Sequence, residues 1–359
     1  MSERLEVWRD AAIGETREAL VKAGRPFALR IARWSDEGRR ARWGEIYGAR
    51  VRTVDRRRRG AFLDLGLKDE QAFLPLHASG LATARGGRFA PREGQALLVC
   101  VSREGVRGKG PVVDVLDAER EGEVGRIEQP GCDEELRTAK PADASLRAQL
   151  DAAIEEALSR RVGIPGGGTL TIEPTSALVA IDVDAGARAG SGDAEKFALD
   201  LNVAAAKEAA RQVRLRSLGG LIAIDFVSMR ARPNHKALED AVRTAFTDDP
   251  WSVQLARLSR FGVLELARAQ LRAPLHEQMC NVAGALSAES LALMALRAVE
   301  REAGAHGGRQ IVCTVSAEVQ AWLDAGEIAW REALTNRIGP RWRFETHAQA
   351  RDVLDARAL

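Results

Sequence analysis

The sequence predicts a chain of mixed α+β and α/β class built from several subdomains, a small all-β barrel followed by α/β units. Three observations predict it. From Trp43 to Asp117, short alternating strand patterns are separated by Gly, Pro and charged clusters, the signature of an antiparallel β unit. From Ala177 to Phe226, two apolar strand patterns flank a long amphipathic helix pattern, which makes a β-α-β unit. From Ala288 to Thr346, helix and strand patterns alternate again.

Taken in order, Glu3 to Trp43 reads as a strand, a helix over Gly14–Ala23 and a strand over Phe27–Ala32, closed by an Arg-rich turn. The barrel strands are expected at Glu45–Val54, Gly60–Asp64, Gln71–Pro75, Ala96–Ser102 and Val112–Leu116. A short connector, 118–160, leads to the β-α-β unit: strand Ala177–Val183, helix Asp193–Arg216, strand Leu221–Phe226. A crossover of that length makes the two strands parallel, and the crossover itself is expected to be right-handed. The tail is expected as helix Ala288–Ala303, strand Arg309–Val315, helices Ala317–Asp324 and Glu327–Asn336, and strand Arg341–Thr346. Trp322, Trp330 and Trp342 read as core there. His235 reads as a surface residue.

Composition narrows the function classes. A chain of 359 residues has room for two or three domains with real cores. Lys plus Arg number 53 against 51 acidic residues, so any affinity for a polyanion must come from a local patch rather than from net charge. The cysteines Cys100, Cys132, Cys280 and Cys313 form no CxxC pair, which points to a reducing compartment and away from a disulfide framework or zinc knuckle. No apolar run is long enough to span a bilayer and Met1–Asp10 is charged, so the expected location is the cytoplasm.

Two groups of residues carry chemistry. Near its end each strand of the β-α-β unit bears the same tripeptide, Ala180-Ile181-Asp182 and Ala223-Ile224-Asp225. On neighbouring strands in register, Asp182 and Asp225 would leave the carboxyl edge of the sheet about 5 Å apart, where open α/β sheets bind ligands. Facing carboxylates repel unless a cation lies between them. Oxygen donors without His or Cys favour Mg²⁺, or Mn²⁺, over zinc. The plainer reading is that each Asp caps the segment that follows it; the repetition on paired strands favours the metal. In the barrel, Phe62 and Phe73 fall on adjacent strands beside Arg50, Arg52 and Arg56–Arg59, with Lys109 in a Gly-Lys-Gly turn. Aromatics flanked by cations are how OB-type barrels hold single strands, whereas composition alone would put both rings in the core and the arginines in a solvated turn.

Several ordered motifs resemble one family. Gly44-Glu45-Ile46-Tyr47-Gly48, Gly60-Ala61-Phe62-Leu63-Asp64-Leu65-Gly66, Ala72-Phe73-Leu74-Pro75-Leu76 and Arg107-Gly108-Lys109-Gly110 look like the RNA-binding barrel of the ribonuclease E/G family. So do Ala180-Ile181-Asp182-Val183-Asp184, Asn202, the stretch Arg211–Arg216, Gly219–Phe226 and Leu258-Ser259-Arg260-Phe261-Gly262 farther on. The resemblance implies an S1-type OB-fold barrel (43–117) inserted in a reduced RNase H-like segment (1–42), a shortened connector (118–160), a DNase I-like catalytic subdomain (161–275) and a linker with a small C-terminal α/β domain (276–359). It implies an endoribonuclease of RNA processing or decay that cuts single-stranded RNA with Mg²⁺ on Asp182 and Asp225. Phe62, Phe73 and Lys109 would bind RNA, and the ends left would be a 5′-phosphate and a 3′-hydroxyl. A homodimer is compatible with it. A binding protein that cuts weakly or not at all is the alternative, and a phosphoesterase for small substrates is a third reading that the barrel opposes.

Departures from the family pattern matter equally. Asp184 stands where the family has Asn, adding a third carboxylate to the candidate metal set, and Ser228 stands where it has an acidic residue. The connector is too short for a 5′-end sensor: Arg137-Thr138 resembles the sensor's Arg-Thr pair, but Ser252 replaces the arginine that supports it. A single Cys280 replaces the CPxC link, so no shared zinc and no zinc-linked tetramer are expected.

Overall fold

The computed structural model describes residues 5–84, 87–106, 108–119, 122–128, 139–186, 193–347 and 355–359. These described residues form a mixed α+β structure of four sheets. The first sheet begins with a meander of β1 (Glu6–Ala12), β2 (Glu15–Lys22) and β3 (Arg25–Arg33). The segment expected as a helix at Gly14–Ala23 is therefore a strand. Its residues alternate, with Glu15, Arg17, Ala19 and Val21 buried and their neighbours less so. This period of two, together with pairing to β1 and β3 along its whole length, overrides the helix preference of its Glu, Ala, Leu and Lys residues.

A five-stranded barrel follows: β4 (Ile46–Asp55), β5 (Gly60–Asp64), β6 (Gln71–Pro75), then, after the short pair β7 (Ala82–Ala84) and β8 (Gly87–Phe89), β9 (Ala96–Arg103) and β10 (Val112–Asp117). Pairing runs β4-β5-β6-β10-β9 and back to β4, closing the cylinder, an OB-like arrangement. Tyr47, Val51, Leu63, Leu74, Leu97, Val99 and Val113 fill its interior.

The connector is more structured than its length suggested. It supplies β11 (Gly125–Glu128), which pairs with β4, and β12 (Lys140–Pro141), which pairs parallel with β1. It ends in α1 (Ala144–Leu158), capped by the Asp143 side chain. Leu150, Ile154 and Ala157 of α1 pack against Trp8, Val21 and Leu29 of the first sheet.

The third sheet runs β13 (Arg161–Gly163), β14 (Thr169–Pro174), β15 (Val179–Asp184), β16 (Gly220–Asp225), β18 (Val263–Arg268), β17 (Val253–Leu255). Helices α2 (Ala194–Leu215) and α3 (Arg232–Ala245) cover one face, burying Ala205, Ala209, Val213, Leu238 and Val242 on Ile181, Ile224 and Leu264. After the short α4 (Leu275–Met279) come α5 (Ala288–Ala305), β19 (Ile311–Val315), α6 (Ala317–Ala325), α7 (Trp330–Ile338), β20 (Trp342–Thr346) and β21 (Asp355–Ala358). The three strands form the fourth sheet in the order β20-β19-β21. Trp330, 2 % exposed, stacks with Trp342 and Phe344 in this core, and Trp322 packs on its margin, as expected for core tryptophans.

Two junctions tie these units together. The β1–β2 turn pushes Ile13 into the C-terminal core, and Gly14, at φ +81, has no room for a side chain against Leu293 and Ile328. Beside it Glu15 lies among Arg17, Arg33 and Arg297. Burial opposes its charge, but the three guanidiniums outweigh burial and hold its carboxyl below the ordinary glutamate value. The stabilisation is thus complete above the unfolded pKa, about 4.3, and is lost as pH falls through the lower folded value. Glu15→Gln should lose about 3–5 kcal/mol at pH 7, because three buried cations lose their counter-charge, and its melting temperature should fall less steeply than wild type below pH 4. Thermal melts from pH 7 to pH 3 test this; parallel curves for the two proteins would refute it.

Candidate functional site

Strands β15 and β16 run parallel, with Ala180 opposite Ala223, Ile181 opposite Ile224 and Asp182 opposite Asp225. Apolar burial sets this register. Val179, Ile181 and Val183 on one strand and Ile222 and Ile224 on the other all enter the same core, and a slip by one residue would turn them all to solvent. Both aspartates consequently stand on the opposite, exposed face at the carboxyl edge of the sheet.

The neighbourhood is built by two loops and the start of α2. Asn202, fully buried on α2, donates to the Val227 carbonyl at 2.8 Å and accepts from the Val227 N–H at 3.0 Å, fixing the chain two residues beyond Asp225. Glu195, in the first turn of α2, accepts from the backbone of Arg230 and Ala231 and from Asn234. The Ala231 and Arg230 N–H groups hold its carboxyl below the ordinary glutamate value. On the other side, the Phe226 N–H donates to the Gly262 carbonyl at 3.2 Å, joining the strand to the 259–262 turn. Of these holding residues, Asn202 belongs to the family-like motifs with no role attached to it there, and Glu195 lies outside them. A lone Asn amid the apolar and Ala positions of the buried helix face was the available signal, since such a group must find partners.

Asp184 follows Asp182 by two residues and is also exposed. Its carboxylate accepts from the Gly186 N–H at 2.9 Å and lies 3.6 Å from the Arg161 guanidinium. Among the described residues no three His, Cys, Asp or Glu side chains converge as a metal cluster. Among the described residues, the carboxylates that stand side by side at this edge are those of Asp182 and Asp225 on adjacent strands.

The barrel residues lie on a different sheet. Phe62 and Phe73 are direct cross-strand partners, with ring centroids 5.6 Å apart in an edge-to-face arrangement. They are half-buried on the outer wall, while their neighbours Ala61, Leu63, Ala72 and Leu74 fill the interior, so the core reading of the two rings does not hold. Gly60 makes room for them, because a Cβ there would stand 2.0 Å from the Phe73 ring. Arg58 lies 5.9 Å from the Phe62 centroid. Lys109 is exposed in the turn that precedes β10, whose Pro111 carbonyl accepts from the Phe73 N–H.

The remaining sequence candidates are placed as follows. Ser228 is exposed in the loop after β16. The Ser252 carbonyl accepts from the Ala269 N–H. His235 is half-buried at the start of α3, its Nε2 2.8 Å from the Met229 carbonyl. Cys280 is a free, partly buried thiol after α4. Arg137 and Thr138 lie outside the described residues, as does Cys132. Among the described residues no helix is long and apolar enough to cross a membrane.

Residues 125–271, which contain the whole β-α-β unit and its flanking loops, match the Ribonuclease E/G family. The chain is 38% identical over 182 residues to Ribonuclease E of Haemophilus influenzae, covering 49% of this chain and 20% of that protein. It is 37% identical over 182 residues to Ribonuclease E of Escherichia coli, covering 49% and 17%. To the chloroplastic Ribonuclease E/G-like protein of Arabidopsis thaliana it is 40% identical over 126 residues, covering 34% and 13%. The aligned part thus spans about a fifth or less of these relatives. The paired carboxylates lie inside this matched region, so the similarity to the ribonuclease E/G family covers the candidate site itself.

Proposed function

We propose that this chain is an endoribonuclease that cuts single-stranded RNA at the Asp182–Asp225 edge. The observation that carries the reading is the parallel register that sets these two carboxylates side by side, exposed, within the family-matched region. In this reading the third sheet and its helices are a DNase I-like subdomain, the barrel is S1-type, and the first sheet is a reduced RNase H-like segment. The boundaries are those expected from sequence: 1–42, 43–117, 118–160, 161–275 and 276–359.

Two oxygen donors and an open, solvent-facing edge fit Mg²⁺ or Mn²⁺, which keep several waters and commonly take one or two carboxylates. Asp182 and Asp225 would hold the ion, and Asp184, already engaged with Gly186 and Arg161, would stay outside the pair. When bound, such an ion polarises a phosphodiester oxygen and lowers the pKa of a water. Asn202 and Glu195 keep the loops beside Asp225 and at the head of α2 in place, so both carboxylates face the substrate without rearrangement. The ends expected are a 5′-phosphate and a 3′-hydroxyl. Phe62 and Phe73 offer ring edges and faces for base stacking, and Lys109 a cation for phosphate. RNA processing or decay in the cytoplasm is the setting that fits.

Three measurements test the reading. A fluorescent single-stranded RNA should be cut with Mg²⁺ and spared with EDTA, and Asp182→Asn or Asp225→Asn should lower the rate by several orders of magnitude with unchanged melting; wild-type rates from either variant would sink the assignment. Phe73→Ala should weaken RNA binding by about 1–3 kcal/mol and lower stability only slightly, because the ring lies outside the barrel core; unaltered affinity would remove it from the interface. Finally, a pocket for a 5′-monophosphate needs several converging donors, and Ser252 supplies no cation. RNAs with 5′-monophosphate and 5′-hydroxyl ends should therefore be cut at similar rates. A preference of tenfold or more, about 1.4 kcal/mol, would contradict this.

A further inference from the structure

Large apolar side chains that stay exposed on a fixed backbone call for a partner. Among the described residues, Leu5, Trp34, Ile127, Leu221, Phe261, Val282 and Leu359 are large and exposed. Phe261, at 73 %, is the aromatic among them that lies at the carboxyl edge of the third sheet. Its turn is rigidly built. The Ser259 hydroxyl accepts from the N–H groups of Phe261 and Val263 at 3.3 and 3.2 Å. The Ser259 N–H donates to the Val263 carbonyl at 2.8 Å, and the Gly262 N–H to the Ser259 carbonyl at 3.1 Å. Gly262 takes φ +88, a conformation a side chain would strain.

This turn is also tied to the candidate site. Val263 is the Cα partner of Asp225, and the Gly262 carbonyl holds the N–H of Phe226. Phe261 thus stands two residues, about 7 Å of chain, from the residue opposite Asp225. The Arg260 guanidinium lies over the Phe261 ring, 4.6 Å from its centroid. Arg230 and Arg257 are exposed on the two loops that border the same edge. A flat ring backed by a guanidinium, with further cations beside it, suits a nucleobase joined to a phosphate chain. An apolar protein surface would leave those cations poorly solvated.

We infer that Phe261, backed by Arg260, is a base-stacking platform that holds one nucleotide of single-stranded RNA beside Asp182 and Asp225. The inference rests on the endoribonuclease reading above and adds a positioning residue to it. A nucleotide stacked there has its backbone confined near the two carboxylates. The barrel then provides grip at a distance, and Phe261 fixes the phosphate next to the cut.

The test uses the full chain and a short single-stranded RNA carrying 2-aminopurine at successive positions. In an Asp225→Asn background, which keeps the RNA intact, one position should be quenched on binding. That quench should vanish in Phe261→Ala and persist in Phe261→Trp, with melting temperatures unchanged because the ring is exposed. In the cleaving chain, Phe261→Ala should lower kcat/KM about tenfold or more. An abasic nucleotide at the quenched position should slow the parent chain by a similar factor and leave Phe261→Ala no slower than before. If the parent binds and quenches through Phe261 but cuts no RNA, the platform stands and the endoribonuclease reading falls. If cleavage is normal and quench, kcat/KM and abasic sensitivity are the same with and without the ring, the platform is overturned. A change confined to self-association in sedimentation, with the quench retained in Phe261→Ala, would overturn it as well and assign the ring to a contact between copies.

Discussion

The parallel pairing of β15 with β16 is the constraint on which the site depends. Each strand alternates a side chain into the helix-covered core with one toward solvent, so the hydrophobic partition and the placement of Asp182 and Asp225 are one event. The pair needs no dedicated scaffold beyond this. Any change that disturbs Ile181 or Ile224 in the core would move a carboxylate by way of its strand, because a β-strand has no independent means of re-aiming one side chain. Asn202 and Glu195 act one step farther out, turning the loop after β16 into an extension of the helix layer.

The arginine-rich end of α2 shows the same economy on the opposite flank. Arg211 bonds Glu208, Glu156 and the Pro26 carbonyl. Arg216 bonds Gln212 and the Glu156 carbonyl, and burial pulls its pKa down to about 10. Arg268 reaches Asp249 and the Leu218 carbonyl and lies 3.9 Å from the Trp251 ring centroid. Cations so engaged are poorly placed to meet phosphate. Arg211 and Arg216 weld α2 to α1, and Arg211 also to β3, where geometry costs desolvation but selects one docking of the helix. Glu104 makes a comparable join between barrel and third sheet, accepting from Trp43 and Ala273 while its own N–H reaches the Leu271 carbonyl. Burial raises its carboxyl pKa.

Much of this was legible in the sequence because the decisive signals were local. The repeated Ala-Ile-Asp tripeptide announced paired strands, and alternation around Phe62 and Phe73 announced barrel walls. What alternation left open was which face of the wall the two rings occupy; the apolar Leu63 and Leu74 fill the inside, and the small Gly60 leaves space for the rings on the outside. The strand β2 was missed because its inward positions change character midway, from Glu15 and Arg17 to Ala19 and Val21. Charged residues read as solvent-facing unless their partners, here Arg33 and Arg297 from distant segments, are already known. Helix α1 and the short β12 were missed for a related reason. Their partners lie far back along the chain, in the first sheet.

That last arrangement bears on how the chain acquires its shape as it is made. The edge of β1 is sealed by Lys140–Pro141, and the apolar face behind it by α1, both of which follow the entire barrel. A growing chain would complete the barrel, whose contacts are nearer neighbours, while the β1 edge of the opening meander is still bare and its face uncovered. Non-local closure of this kind is slow, and bare edges invite wrong partners. The charged half of β2, which prefers water until Arg297 arrives from α5, would keep that early meander soluble during the wait.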